Sequence, residues 1–423
     1  MSVAEPLRDP RFRRLYAAQV VALVGTGLLT VALGLVAVDI AREQAGVVLG
    51  TALAIKMIAY VAVAPMATAL TVRFDRKAVL ITADVVRAAV ALALPFVGEA
   101  WQIYALVFVL QSASATFTPA FQSVVPVILR DESSYARGLS LSRLAYDLES
   151  IASPMIAAAA LTVVSFHSLF IGTSIGFLAS MCLVARTAIP RIPVRRDSSL
   201  LERTTAGIRE FGRRADLRGL AAMNLVAATA TSLVVVNSVV FATVLLRGPA
   251  WSFAFLLGCF GVGSIAVALC VPPLLERTSA RATMTVGCVG VLSVLVCIAL
   301  VTAAAPTGLL GWGVVSVLWV AAGAAVSAIS TPSPSVVRRA CEGRDSGPLF
   351  TAQFSLSHAC FLFTYPIAGW VGASAGQVAS TLVLALVATL GTVAAVGVWK
   401  SSGGGSDGQA SDSRTELPTL GRA

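Results

Sequence analysis

Residues 189–217 read IPRIPVRRDSSLLERTTAGIREFGRRADL, a polar and basic connector of 29 residues between two long apolar regions. Upstream, apolar stretches fall at about 15–40, 46–71, 78–98, 101–127, 137–163 and 166–188. Downstream they fall at about 218–245, 250–274, 282–304, 308–330, 348–373 and 377–399. A helix of about 20 such residues crosses a hydrocarbon core of about 30 Å. The short alternating strands of a membrane β-barrel are not visible. Of the 423 residues 57% are hydrophobic and only 12% charged, about half the charged share of a soluble domain. These observations predict an all-α membrane protein with 12 transmembrane helices in two six-helix bundles. Its parts are a first bundle (1–188), a basic cytoplasmic linker (189–217), a second bundle (218–400) and a disordered cytoplasmic tail (401–423). Within the linker, Leu200 to Arg214 has helical periodicity and is expected to lie on the membrane surface as a solvated hinge.

The placement of positive charge fixes the orientation. With the N-terminus inside, 27 of the 31 Lys and Arg residues fall in cytoplasmic segments or at the cytoplasmic ends of spans. The outer connectors hold only Arg42 and Arg247, and Lys56 and Arg87 lie within spans. One miscounted helix would destroy that asymmetry, so both termini are expected in the cytoplasm. Topology accounts for the net charge of +10, and a nucleic-acid partner is not implied. Arg11, Arg13 and Arg14 precede a first span too long for a cleavable signal peptide. The expected location is a bacterial-type inner (plasma) membrane, crossed many times. The seven cysteines show no CxxC or metal-type spacing and read as small packing residues.

The halves carry a weak internal repeat. Thr118-Pro119 matches Thr331-Pro332, Arg130-Asp131 matches Arg344-Asp345, and Ser140-Leu141-Ser142-Arg143 matches Ser355-Leu356-Ser357-His358. Parallel six-helix repeats with a site at their interface are one of the known transporter architectures.

The connector after the second span reads Arg73-Phe74-Asp75-Arg76-Lys77, followed by Ala83-Asp84-Val85-Val86-Arg87-Ala88. It resembles the loop signature of the major facilitator superfamily, and most closely that of proton-driven exporters of the drug- and macrolide-efflux type. PAFQSVVP and ARGLSLSR, in the fourth-to-fifth segment, resemble the same group, as does Ser153-Pro154. AIKMIAYVAVAP, SRLAYDLES and HACFLFTYPIAGW resemble a branch labelled as nickel-resistance exporters. The resemblance covers residues 10–400 and implies alternating access driven by the proton motive force, without a bound cofactor. It also implies a gating role for Arg73, Asp75, Arg76 and Lys77, and for Glu276, Arg277 and Arg281 in the loop between spans eight and nine. Thr68 and Val72 stand where the signature has Gly and Asp, so the latch that the family builds on that Asp is not expected.

An ionisable residue inside a span costs on the order of 2.5–3.5 kcal/mol on insertion scales and usually faces a partner or a cavity. Lys56, Asp84, Arg87, Arg143, Asp147, Glu149 and His358 qualify, six of them in the first half. The first half should therefore carry the charge chemistry, and the second should shape an apolar cavity. Asp84 and Arg87 are spaced i, i+3 and can neutralise one another; Arg143 and Asp147, spaced i, i+4, can do the same. Glu149 lies on another face of that helix. One of Asp147 and Glu149 must then find another partner or carry a proton, which makes the two candidate proton carriers. Lys56 and His358 each lie about ten residues into their spans, about 15 Å deep, and in the fold implied by the resemblance their helices meet across the halves. His358 is the side chain whose ordinary pKa lies nearest neutrality. Tyr60, Tyr146, Asn224, Asn237, Gln353, Phe361 and Tyr365 are candidate cavity residues, because small-molecule sites combine aromatic walls with a few polar groups.

Secondary export of a small molecule is the expected function, with divalent metal (nickel or cobalt) export as the alternative. Two histidines are few for a dedicated nickel site, which favours imidazole. No Walker motif, zinc motif such as H-E-x-x-H, or nucleophile–base cluster is present, so no enzyme activity is expected. A non-transporting receptor or scaffold is the reading from another class. The expected partners are the substrate and the lipid bilayer, for a monomer.

Overall fold

A computed structural model describes residues 5–41, 45–71, 74–161, 163–190, 200–249, 252–304, 308–341 and 346–403. Arg73, Arg344, Asp345, nearly all of the tail and the side chains of Arg143 and Asp147 lie outside the described residues. The first half comprises α1 (Pro10–Ala41), α2 (Ala45–Ile58), α4 (Arg76–Ala93), α5 (Ala100–Ile128), α6 (Glu132–Leu161) and α7 (Phe166–Ala185). A π-helical turn, Ala59–Val63, continues α2 into α3 (Ala64–Thr71). The connector forms α8 (Leu200–Arg213). In the second half stand α9 (Ala215–Val240), α10 (Ser252–Leu275), α11 (Ala280–Ala304), α12 (Gly308–Ser330), the short α13 (Ser333–Cys341), α14 (Gly347–Pro366) and α15 (Gly372–Gly403).

Ten described segments are long and apolar enough to cross a membrane. One of them, 347–399, has 53 residues, roughly 80 Å of helix at 1.5 Å per residue, far more than a bilayer core. It turns at Gly376, whose φ of +87° is a conformation that glycine adopts without penalty, and so it makes two crossings. With α6, charged but 30 residues long, the helices are consistent with twelve crossings. The pairing pattern repeats between halves. α1 packs on α7 as α9 packs on α15, α4 on α7 as α11 on α15, and α2 on α5 as α10 on α12. Outward faces such as Val286, Val289 and Val296 of α11 stay exposed, an apolar surface suited to lipid. Both chain ends reach the basic face: Glu5 pairs with Arg137, and Trp399 Nε1 donates to the Asp216 carbonyl at 3.3 Å.

The connector helix is not the solvated hinge that its composition suggests. α8 packs on α3 of the first half and α14 of the second, with Phe211 buried. It approaches so closely that a Cβ at Gly207 would lie 2.2 Å from the Pro348 carbonyl oxygen. The amphipathic face that suggested a membrane surface is used instead against protein at the basic end.

Backbones meet most closely inside the second half. A Cβ at Gly323 of α12 would lie 1.8 Å from the Phe260 carbonyl oxygen, and one at Gly263 of α10 1.8 Å from that of Val320. Small residues allow such approach where lipid offers no hydrophobic drive for helix association. We expect Gly323→Val to destabilise the protein by about 1–3 kcal/mol through overpacking, seen as an earlier thermal transition in detergent. Gly258→Ala, where nothing lies within 4 Å, should leave the transition in place.

Candidate functional site

A cavity of about 530 Å³ lies between the halves. Lys56 and Tyr60 line it from α2 and the π turn, Arg87 from α4, and Tyr146 and Glu149 from α6. The opposite wall holds Asn224 of α9 and Gln353, His358, Phe361 and Tyr365 of α14. Among the described side chains, the three of permanent or carboxylate charge there, Lys56, Arg87 and Glu149, come from the first half. The second half contributes aromatic surface, Phe260, Phe350 and Phe354 among it. The described charges thus lie on one wall, while aromatic rings line both and are more numerous on the other.

The α2–α14 crossing organises the middle of the cavity. Tyr60 packs tilted against Phe354 (4.9 Å between centroids) and stands edge-on to His358 (4.7 Å). Its hydroxyl donates to Gln111 Oε1 at 3.0 Å, and Lys56 Nζ lies 5.6 Å from its ring centre. His358 Nδ1 lies 2.8 Å from the Phe354 carbonyl oxygen. A carbonyl only accepts, so Nδ1 carries the proton and Nε2 of the neutral ring is an acceptor. Glu149 has Lys56 as its charged neighbour. Asn224 and Gln353 exchange paired amide hydrogen bonds of 3.0 Å, tying α9 to α14 at the cavity wall.

Two candidates lie elsewhere. Asn237 is buried outside the cavity and donates to the Ala368 carbonyl at 3.1 Å, so it secures the end of α14 against α9. Asp84 is fully buried behind the cavity wall. Arg87 Nη2 donates to its Oδ1, and Ser180 Oγ of α7 donates to its Oδ2 at 2.8 Å. The pair thus has the local, neutralising geometry that the i, i+3 spacing allows.

The basic end is sealed by ties between the halves. Arg137, with only 3% of its side chain exposed, pairs with both Glu5 and Glu276, the latter at 3.1 Å. Arg339 pairs with Glu132, and Arg338 Nη2 donates to the Arg130 carbonyl at 2.5 Å. Tyr135, beneath the Arg338 guanidinium, donates to the Pro334 carbonyl at 3.4 Å. Thr68 and Thr351 share a hydroxyl hydrogen bond of 2.7 Å. Asp131 anchors the start of α6, where the Ser133 hydroxyl and the Ser134 N–H hold its pKa at about 2, below the ordinary 3.8. That contribution is complete above the ordinary value and is lost as pH falls through about 2.

Of the gating residues named from sequence, Glu276 makes such a tie. Asp75 caps α4, accepting from the Lys77 N–H at 3.2 Å. Arg76 is buried at the start of that helix, and Arg281 pairs with Asp216 inside the second half. Arg277 is exposed in its turn. As ties between the halves, Thr68, Arg137, Glu132 and Arg339 went unread in the sequence. RDESSYAR at 130–137, with acids and bases together at a helix start, was the available signal. Gln19 of α1, which lines the cavity and accepts from Ser142 Oγ at 3.0 Å, also went unread; its one signal was an uncharged polar residue in an apolar span.

Residues 15–318 match the family profile of the Major Facilitator Superfamily. Macrolide efflux protein A of Streptococcus pyogenes is 24% identical over 193 residues, 44% of this chain and 47% of that protein. The uncharacterized MFS-type transporter YfiS of Bacillus subtilis is 28% identical over 120 residues, 28% of each chain. The chain thus spans less than half the length of these curated relatives. The fold matches the transporter FucP in its outward conformation, with a TM-score of 0.70 at 15% identity, covering 93% of this chain and 99% of that one. It also matches the human organic anion transporter MFSD10, with a TM-score of 0.74 at 12% identity, covering 91% and 98%.

If the buried Arg137 pair holds the basic end shut, Arg137→Glu should open the passage below the cavity. A cysteine placed at Ser330, which lines both the cavity and a smaller void beneath it, would then react several-fold faster with an impermeant maleimide in inside-out vesicles. Adding Glu276→Arg should slow the reaction again. Unchanged labelling would assign the seal to the other ties.

Proposed function

The chain belongs to the Major Facilitator Superfamily, and from that premise we propose that it exports a small amphipathic molecule in exchange for protons. The family and the helical fold make it a multi-pass membrane transporter. The observation that carries the finer reading is the division of the cavity. Lys56, Arg87 and Glu149 stand on one wall and an aromatic surface on the other. Such a site takes a molecule with a polar face and an apolar face, as drugs and natural products commonly have. The name of the macrolide efflux relative supports the outward direction and the chemical class.

Glu149 is the proton site in this reading. Among the described side chains it is the intramembrane carboxylate that lines the cavity together with Lys56, whereas Asp84 is enclosed by Arg87 and Ser180. Protonating Glu149 removes one unit of negative charge from the cavity that Lys56 also lines. In a poorly solvated site a unit charge acts with several kcal/mol at short range, enough to change the affinity for a polar substrate by orders of magnitude. With the basic end sealed, the proton enters from the outer side and the substrate leaves; with that end open, the proton is released and the next substrate enters. Each ligand shifts the balance of states only by its differential affinity for them. His358 stands across the seam from Lys56 as a second titratable group.

The test is growth of a bacterium stripped of its own exporters against drugs, dyes, Ni²⁺ and Co²⁺. Wild type should confer tolerance to one class of organic compound. Glu149→Gln, present at the same level in the membrane, should abolish it. In everted vesicles that compound should dissipate a preformed pH gradient with wild type and not with the variant. Tolerance to metals alone would replace the organic substrate with a divalent cation, and full activity in Glu149→Gln would remove that residue from coupling.

A further inference from the structure

Three buried side-chain atoms among the described residues lack a hydrogen-bond partner: Arg87 Nε, Arg338 Nη1 and Gln377 Oε1. Only the first belongs to a residue lining the central cavity. Arg87 is 4% exposed, and that remaining surface borders the cavity. Its guanidinium is held from several sides. Nη2 is bonded to Asp84, whose other oxygen is satisfied by Ser180. The Phe117 and Phe177 rings lie 4.2 and 4.6 Å from the guanidinium carbon.

A guanidinium is a rigid fork with five N–H donors, and stacking on rings fixes its plane. Here Nη2 is committed to Asp84 and Nε, itself shielded from the cavity, has no acceptor, so the guanidinium meets the cavity along its remaining exposed edge. A neutralising pair alone would not need an arginine at the cavity wall. A guanidinium N–H at a poorly solvated wall gains more from an acceptor than one in open water does. Because Asp84 already compensates the charge, what Arg87 offers is chiefly a fixed hydrogen-bond donor. A donor whose orientation is set before binding loses little freedom when the ligand arrives.

We propose that Arg87 is a substrate-recognising residue that takes an acceptor oxygen, carbonyl, hydroxyl or carboxylate, of the transported molecule. Asp84, Ser180 and the two phenylalanines are the positioning residues that hold it. The inference rests on the cavity being the substrate site of the exporter proposed above, and it adds the feature the substrate must carry. A purely hydrocarbon cation fits the aromatic wall and leaves Arg87 unmet.

Purified full-length protein in detergent allows a direct test by binding four probes. Erythromycin and chloramphenicol carry uncharged acceptor oxygens, nalidixate carries a carboxylate, and tetraphenylphosphonium has no acceptor. Removing Arg87 alone would strand the buried Asp84, so the informative variant is the double change Asp84→Asn with Arg87→Gln, checked for a single symmetric peak on size exclusion. Wild type should bind at least one acceptor-bearing probe. The double variant should bind that probe about tenfold more weakly or worse, the usual consequence of losing a hydrogen bond to a charged group. Its affinity for tetraphenylphosphonium should stay within about twofold of wild type. Whether chloramphenicol or nalidixate shows the loss separates an uncharged from an anionic acceptor. Equal weakening of all probes would make Arg87 merely structural, and undiminished binding of the acceptor-bearing probes would overturn the proposal. So would wild type that binds none of them. These results leave proton coupling untouched, because Glu149→Gln and the pH gradient read that separately.

Discussion

The crossing of the second and eleventh spans is the contact on which the rest of the structure depends. The π-helical turn at Ala59–Val63 replaces the normal ladder of hydrogen bonds locally. Across the crossing, Ser355 Oγ of the opposite half donates to the Tyr60 carbonyl at 3.2 Å. One turn below, Phe354 packs with Ala64, and one turn further Thr68 meets Thr351. Above, Tyr60 meets His358. A deviation in one helix thus finds its partner in the other, and the contact carries directly into the wall of the cavity.

The strength of that seam suits a transporter. Neutral hydrogen bonds contribute about 0.5–1.5 kcal/mol each, and exposed ion pairs such as Arg339–Glu132, both more than 60% exposed, contribute less than about 1 kcal/mol. A handful of such ties holds the basic end shut without making it permanent. Arg137 is different, because its guanidinium is buried, so losing Glu276 of the other half costs more than parting an exposed pair, although Glu5, in its own half, stays bonded. The arrangement therefore places one costly contact among several cheap ones at the mouth that must open. The connector helix on the same face, seated on both α3 and α14, has to move with it.

Much of this was legible in the sequence. The spans and their orientation followed from length and from the lopsided distribution of Lys and Arg. The concentration of intramembrane charge in the first half followed from where Lys56, Arg87 and Glu149 stand, with the second half expected only to shape an apolar cavity. The meeting of Lys56 and His358 with the crossing came through the resemblance and their equal depth. What escaped reading depends on pairing between distant segments. Thr68 looked like the loss of a family glycine, and only its position opposite Thr351, 283 residues away, turns it into a tie. Asn237 and Asn224 are equally polar residues on one helix, but the rotation of that helix sends the first to a backbone carbonyl and the second to the cavity. The fit of Gly207 against Pro348 is a matter of shape, which hydropathy does not encode.

The central claim is that the transported molecule and a proton compete through Glu149. The direct measurement is proton release on binding, made with purified protein in weakly buffered solution using the compound to which the chain confers tolerance. The account predicts about one proton released per chain by wild type on saturation, falling as the pH rises and Glu149 is already ionised, and none from Glu149→Gln. No release from wild type, or the same release from the variant, would contradict it.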